Sequence, residues 1–232
     1  MRLRDLFFPS AAKCIMCGME TNSYGLCESC ENELPWINEP ACVICGGNML
    51  GEGEVCIECK DRDYHFTRCY CVLEYRDEVQ QKILSFKNGG QKFLGQTFAS
   101  LMERKYNEIN VKIDMVIPIP INEKRLKERG FNQSDLLCEE LPNVRNDVVF
   151  RIKDTPHQTG LNRDNRVVNL ENAFKVENKK DIKNKTILLV DDIYTTGSTL
   201  NECVKTLLNA GAKKVFALCL ARTPVLKQNI IN

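Results

Sequence analysis

The chain has 232 residues, 43% of them hydrophobic and 27% charged, which suits a folded domain of ordinary size with a small appendage and excludes a disordered tail. Lysine and arginine number 32 against 31 aspartate and glutamate, so net charge excludes a strongly basic nucleic-acid binder. Thirteen cysteines are too many for an ordinary cytosolic enzyme, and their placement has to be read first.

Residues 1–67 carry five basic and eleven acidic side chains, a formal net of −6, whereas residues 68–232 carry 27 and 20, a net of +7. Two compositions predict two domains, 1–67 and 68–232. The N-terminal run around Leu6, Phe7 and Phe8 is broken by Pro9 and stopped by Lys13, too short for the apolar centre of a secretion signal. No segment approaches the length of a membrane span. A cytoplasmic chain with reduced thiols is expected.

The first eight cysteines form four CxxC pairs: Cys14/Cys17, Cys27/Cys30, Cys42/Cys45 and Cys56/Cys59. A CxxC turn aims two sulfurs at one point, and two such turns complete the tetrahedral thiolate shell that Zn²⁺ favours. A closed shell leaves no open position, so two structural zinc sites are predicted, not catalytic ones. Sequential pairing gives two consecutive ribbons; a cross-braced pairing, first with third and second with fourth, satisfies the same spacing. A disulfide framework suits a secreted chain, which nothing here indicates. Four thiolates around one dication add −2 per site, bringing the module to about −10. An acidic ribbon suits a protein partner or its own basic neighbour better than nucleic acid. Trp36 is expected to pack between the ribbons.

From residue 68 the pattern becomes α/β. RCYCVLEY (68–75) reads as a strand, with Cys69 and Cys71 on one face as core residues. Val79, Ile83 and Phe86 make a helical stripe ending at Gly89–Gly90, and Phe93, Leu94, Thr97, Phe98, Leu101 and Met102 make a second. DMVIPIP (114–120) is a buried strand halted by prolines, 132–141 a helix capped by Asn132 or Ser134, and DVVFRI (147–152) a strand. Residues 153–172 are polar and without period, a long loop of the kind that carries function. TILLVDD (186–192) is an apolar strand ending in two aspartates, 198–210 a helix stopped by Gly211, and KVFALCLA (214–221) the last strand. Alternating strands and helices predict a mostly parallel sheet covered on both faces.

The strand at 186–192 delivers Asp191 and Asp192 to the carboxyl edge of the sheet, where open α/β folds bind ligands. Thr195, Thr196, Gly197, Ser198 and Thr199 follow and open a helix. Hydroxyls, free helix N–H groups and the positive end of the helix dipole make a phosphate socket. A bare anion site has no use for two carboxylates, but a sugar phosphate does, since they accept hydrogen bonds from ribose hydroxyls. A nucleoside-triphosphate site would need GxxxxGK[ST], which is absent; KNGGQK (87–92) fails the spacing.

VDDIYTTGSTL resembles the 5-phosphoribosyl-1-pyrophosphate (PRPP) signature of type I phosphoribosyltransferases. With PIPINEKRLKERGFNQSDLL (118–137), RIKDTPHQTGLNRDNRVVNLENAF (151–174) and the cysteine module, the chain resembles the ComF family, in particular the ComFC-like proteins of bacterial competence. The resemblance implies a type I phosphoribosyltransferase fold, a mostly parallel sheet flanked by helices, behind an N-terminal double zinc ribbon. It implies that Asp191 and Asp192 contact ribose hydroxyls and act in catalysis, and that residues 195–199 hold the 5′-phosphate. Lys124, Arg125, Lys127 and Arg129, with Asn132, fall where the family binds Mg²⁺-pyrophosphate. Gln158, Arg163 and Arg166 fall in the flap that closes on substrate. The reaction implied is displacement of pyrophosphate from PRPP, with Mg²⁺ neutralising the leaving group, by an acceptor that no residue identifies. A rival reading makes the chain a PRPP or nucleotide sensor that holds single-stranded DNA on its basic body and engages a competence helicase through the acidic ribbon.

Overall fold

A computed structural model describes residues 12–21, 25–49, 53–61, 63–87, 93–153 and 172–224. The short strands β1 (Ala12–Lys13) and β2 (Glu20–Thr21) flank the first cysteine turn, and α1 (Glu28–Glu33) follows the second. The body contains β3 (Cys69–Glu74), α2 (Asp77–Lys87), α3 (Leu94–Asn107), β4 (Met115–Pro118), α4 (Glu123–Arg129), α5 (Gln133–Leu137), β5 (Val149–Arg151) and β6 (Phe174–Val176). It ends with α6 (Lys179–Ile182), β7 (Thr186–Tyr194), α7 (Ser198–Asn209) and β8 (Lys214–Arg222).

Four strands form the predicted parallel sheet, in the order β3-β8-β7-β4. In the central pair, Ile187 to Val190 of β7 and Val215 to Ala221 of β8 are apolar throughout because both faces there are buried. Side chains alternate between faces. Leu188, Val190, Phe216, Leu218 and Leu220 pack with Val79, Ile83 and Phe86 of α2 and with Leu94, Phe98, Leu101 and Met102 of α3. Ile187, Leu189, Val215, Ala217 and Cys219 face the other way, onto Leu200, Cys203, Val204 and Leu207 of α7. That second face is completed by Cys42, Cys45, Cys56, Cys59, Ile37 and Phe66. The third and fourth cysteine pairs therefore cover part of the sheet that a helix would otherwise cover.

The first two cysteine pairs lie on the opposite face, where Cys14, Leu26 and Leu34 join the α2 and α3 cluster. Gly25 touches α3 so closely that a Cβ there would stand 1.7 Å from Thr97 Oγ1. The segment joining the two ribbons lies along the edge strand β3: Trp36 bridges antiparallel to Leu73, and the Ile37 N–H donates to the Val72 carbonyl. This covers an edge that would otherwise invite pairing with another chain. Trp36 thus packs on β3 and under the Arg104 guanidinium, 4.9 Å from the ring centroid, instead of between the ribbons.

Several elements differ from their sequence readings. β7 runs two residues past the aspartates, because Ile193 and Tyr194 still pair with Ala221 and Arg222 of β8. The helix expected over 132–141 is only Gln133–Leu137, and turns follow to Leu141. Phe93, placed on a buried stripe, precedes α3 and is 64% exposed. β6 and α6, of three and four residues, are too short to show a period. No helix among the described residues is long and apolar enough to cross a membrane.

Two glycines separate backbone strain from packing. Gly18 and Gly25 both have positive φ, but a Cβ at Gly18 meets nothing within 4 Å. Gly18→Ala should cost about 1 kcal/mol from its backbone alone. Gly25→Ala should cost clearly more, because the ribbon must lift from Thr97. Thermal unfolding of the two variants measures this, and equal losses would count against tight docking of the first ribbon.

Candidate functional site

The two cysteine groups are built alike. In each, a glycine in the left-handed region (Gly18, φ 76°; Gly46, φ 63°) follows the first CxxC and donates its N–H to the carbonyl of the leading cysteine, Cys14 or Cys42. This turn gathers both thiols to one side. Cys14, Cys17, Cys27 and Cys30 bring their sulfurs within 4.8 Å of one another, and so do Cys42, Cys45, Cys56 and Cys59. Of the two pairings the spacing allowed, the fold takes the sequential one. The Cys17–Cys27 and Cys45–Cys56 sulfurs stand 3.8 and 3.7 Å apart, close to the about 3.8 Å edge of a tetrahedron with 2.3 Å metal–sulfur bonds. The surroundings differ: Cys17 is exposed and Cys27 and Cys30 half-buried, while the second group is buried at all four positions. A further trio, Cys69, Cys71 and Cys219, lies buried at the β3–β8 seam. Residue order does not link Cys219 to this group, because strand pairing is what brings it beside Cys71.

At the other end of the body, β7 leads through Thr195 and Thr196 into Gly197, whose φ of 73° makes it the left-handed residue before α7. Only glycine fits, because a Cβ would stand 2.4 Å from the Tyr194 hydroxyl. The turn is folded tightly over the Tyr194 ring. Thr196 Oγ1 and Ser198 Oγ are 2.8 Å apart, and the Gly197 carbonyl accepts the Asn201 N–H. The N-cap Gly197 has no side chain to cap α7, the Ser198 N–H makes only a long 3.4 Å contact with Thr196 Oγ1, and the first turn carries no acidic residue. Its leading N–H groups and positive dipole end are therefore available to an anion.

Asp191 and Asp192, being consecutive in a strand, point to opposite sides. Asp192 pairs with Lys87 Nζ at 3.0 Å. Asp191 Oδ1 accepts the Ser134 hydroxyl at 3.4 Å and the Asp192 N–H at 2.9 Å. Burial, with the Asp192 charge beside it, holds the Asp191 carboxyl up at about 7 despite the opposing pull of Lys87 and Arg151. Lys87, at the end of α2, escaped the sequence reading. Its only signal is a basic residue closing an amphipathic helix.

The segment after β4, outside every predicted element, is the helix α4, capped by Asn122, whose side chain accepts the Arg125 N–H. Asn132 is buried and caps α5. Its side-chain amide donates to the Ile119 carbonyl and to Asp135, so it ties α5 to the end of β4. Arg129 donates to Gln133 Oε1, and Gln133 donates to the Lys87 carbonyl. That chain runs from Arg129 to the lysine that holds Asp192. Lys124 and Asn132 line a cleft of about 930 Å³ between α4 and β5, together with Lys127, Arg151 and Lys153; Arg125 and Arg129 are not part of its lining. The cleft and the Asp191 carboxylate are joined through α5, where Asn132 and Asp135 line the cleft and Ser134 reaches Asp191. Gln158, Arg163 and Arg166 lie outside the described residues. The two ends of their segment are held side by side at the cleft, since β5 and β6 pair antiparallel with Arg151 opposite Phe174.

Residues 3–60 match the model of the double zinc ribbon domain, and residues 91–230 match that of the phosphoribosyl transferase domain. Competence protein F of Haemophilus influenzae is 30% identical over 225 residues, 90% of this chain and 96% of its own. The chain belongs to the ComF family. Other relatives of this ComF chain are DNA utilization protein YhgH of Escherichia coli K12, 28% identical over 90% of this chain and 96% of its own, and Competence protein ComFC of Bacillus subtilis, 29% identical over 85% and 84%.

Two measurements check the site. Because the first cysteine group is partly solvated and the second buried, a chromogenic chelator should strip metal in two phases, and Cys17→Ser should abolish the fast one. A single phase would contradict the contrast in burial. The raised carboxyl of Asp191 has a definite sign: the folded chain holds that proton more tightly than the unfolded one, so stability falls as pH rises from 3.8 to about 7. Asp191→Asn should therefore melt above the native chain at pH 8 in phosphate-free buffer and level with it near pH 4. Parallel profiles would show that Asp191 carries no such burden.

Proposed function

We propose that the chain binds Mg²⁺-PRPP and transfers its phosphoribosyl group to a nitrogenous acceptor during the handling of incoming DNA in the cytoplasm. The observation that carries this reading is the left-handed Gly197 turn opening an uncapped helix directly after the Asp191–Asp192 pair. In this reading the hydroxyls of Thr195, Thr196, Ser198 and Thr199 and the α7 N–H groups hold the 5′-phosphate. Asp191 and Asp192 accept hydrogen bonds from the ribose hydroxyls. A hydroxyl donating to the Asp191 carboxylate favours its charged form against the burial, and secondarily the Asp192 charge, that hold its carboxyl up, so ligand binding and ionisation favour one another. In this reading Lys124, which lines the cleft, and Arg129, on the same helix, take the diphosphate, and Arg125 adds its charge to that helix.

In the transfer, a bond forms between the acceptor nitrogen and C1, and the C1–oxygen bond to pyrophosphate breaks. The electron pair leaves with pyrophosphate, and the acceptor loses a proton. The carboxylate oxygens of Asp191 and Asp192 are hard donors of the kind Mg²⁺ prefers, and the ion would neutralise charge on the departing diphosphate. Gln158, Arg163 and Arg166 are assigned in this reading to the flap that excludes water from the reacting sugar. Zn²⁺ in the two cysteine groups is structural.

The rival reading, a sensor that holds single-stranded DNA and works with a helicase, draws on the cleft. Lys124, Lys127, Arg151 and Lys153 surround Phe150 and Ile152, which are 40% and 59% exposed, a combination suited to phosphates and bases. The experiment that separates the two is a pyrophosphate-release screen with PRPP, Mg²⁺ and candidate bases, nucleosides and oligonucleotides. Release with one acceptor, lost by more than about 100-fold in Asp191→Asn/Asp192→Asn, supports transfer. PRPP-induced thermal stabilisation without release for any acceptor supports the sensor. No stabilisation at all ends both readings of the turn.

A further inference from the structure

The turn at 195–198 is held from behind by the chain that leaves the second cysteine group. Tyr64 donates its hydroxyl to the Thr196 carbonyl at 3.1 Å. Asn201, in the first turns of α7, bonds twice to the same segment: its Oδ1 accepts the His65 N–H at 2.8 Å and its Nδ2 donates to the Asp63 carbonyl at 3.1 Å. Phe66 packs edge-on against Tyr194, the ring beneath Gly197. None of residues 63–66 is in a helix or strand, so their position is set by what anchors them at each end. One anchor is β3. The other is the fourth CxxC turn, Cys56–Cys59.

A second route joins the same two places. Arg222, at the end of β8, is 2% exposed. It pairs with Glu58, inside the fourth CxxC turn, at 2.9 Å, stacks 5.3 Å from the centroid of the Tyr194 ring, and sits beside the Cys45 sulfur. Four thiolates around a divalent metal would leave a net −2 in this buried spot, and Arg222 is the cation that faces it. A buried charge whose partner is displaced is strongly destabilising. The arginine, its ring and the turn above are therefore tied to the state of the cysteines.

We propose that the second cysteine group acts as a metal-dependent clamp on the phosphate turn, with Tyr64, Asn201 and Arg222 as positioning residues. Metal at Cys42, Cys45, Cys56 and Cys59 fixes Glu58 and the 63–66 segment, and these hold the turn in its left-handed form. Loss of that metal releases the turn. The first group docks on the other sheet face, against α3, and among the described residues has no such route. The consequence for ligand binding rests on the phosphopentose reading above; the mechanical coupling does not.

Hydrogen–deuterium exchange on the full chain tests the coupling without any ligand. Cys59→Ser should raise exchange across 194–201 while leaving α3 protected. Cys17→Ser should leave 194–201 protected. Tyr64→Phe, which keeps both metals by elemental analysis, should raise exchange at 195–198 by about tenfold, the size of one lost hydrogen bond. Zn²⁺ added back to stripped native chain should restore protection at 194–201. Unchanged exchange at 194–201 in Cys59→Ser overturns the proposal. If Cys59→Ser unfolds throughout, Tyr64→Phe decides, and unaltered exchange at 195–198 in that variant overturns it equally. Calorimetry with ribose 5-phosphate reads the consequence, with binding expected to weaken about tenfold in Tyr64→Phe. A native chain that ignores ribose 5-phosphate sinks the phosphopentose reading and leaves the exchange result standing.

Discussion

A parallel sheet has to be covered on both faces, and this chain has few helices to do it with. Among the described residues only α2, α3 and α7 exceed ten residues, and two of them lie on the same face. The shortfall falls beside α7, where buried thiols and the segment after them complete the layer. A ribbon too short to build its own apolar core gains one by sharing the body's. The body in turn gains a cover built around a four-cysteine group. Cys42 and Cys45 are 0% exposed, as deep as Leu189 or Val204, so the second group cannot be rearranged without disturbing the sheet beneath it.

The same placement explains where the acidic charge of the ribbons goes. Glu31 pairs with Arg104, Glu39 with Arg68 and Glu58 with Arg222. The first two pairs are partly exposed and contribute little. The third is buried and joined to both a thiol group and an aromatic ring, so it fixes geometry more than it adds net stability. Of the two roles the acidic composition suggested, holding the chain's own basic neighbour is the one these three contacts fill.

Much of this was legible from residue order. The four CxxC pairs, the apolar run before Asp191, the stripe Val79–Ile83–Phe86 and the glycine within a hydroxyl-rich turn each have a local cause, and each is found where local chemistry put it. What residue order hid is whatever depends on contacts across more than a hundred positions. Lys87 meets Asp192 because α2 ends over the sheet edge. Cys219 meets Cys71 because two strands pair in one register. Tyr64 belongs to no predicted element, and Arg222 lies just past the predicted last strand, until the fold brings both beneath the same turn. The alternation of basic residues after β4 was also ambiguous, since a helix capped by Asn122 and a charged loop share that composition.

The electrostatics of the site divide along the strand. Asp192 has its lysine and is partly neutralised; Asp191 has a hydroxyl and a peptide N–H, both weaker than a full counter-charge. Two consecutive carboxylates at a sheet edge cost stability, and among the described residues Lys87 is the one cation in salt-bridge contact with them. Such local expense marks sites that a ligand completes. The missing contacts are donors, on the side where α7 offers N–H groups to an anion a few residues away. A molecule with hydroxyls at one end and a phosphate at the other satisfies both demands at once, and neither a bare anion nor a bare cation does.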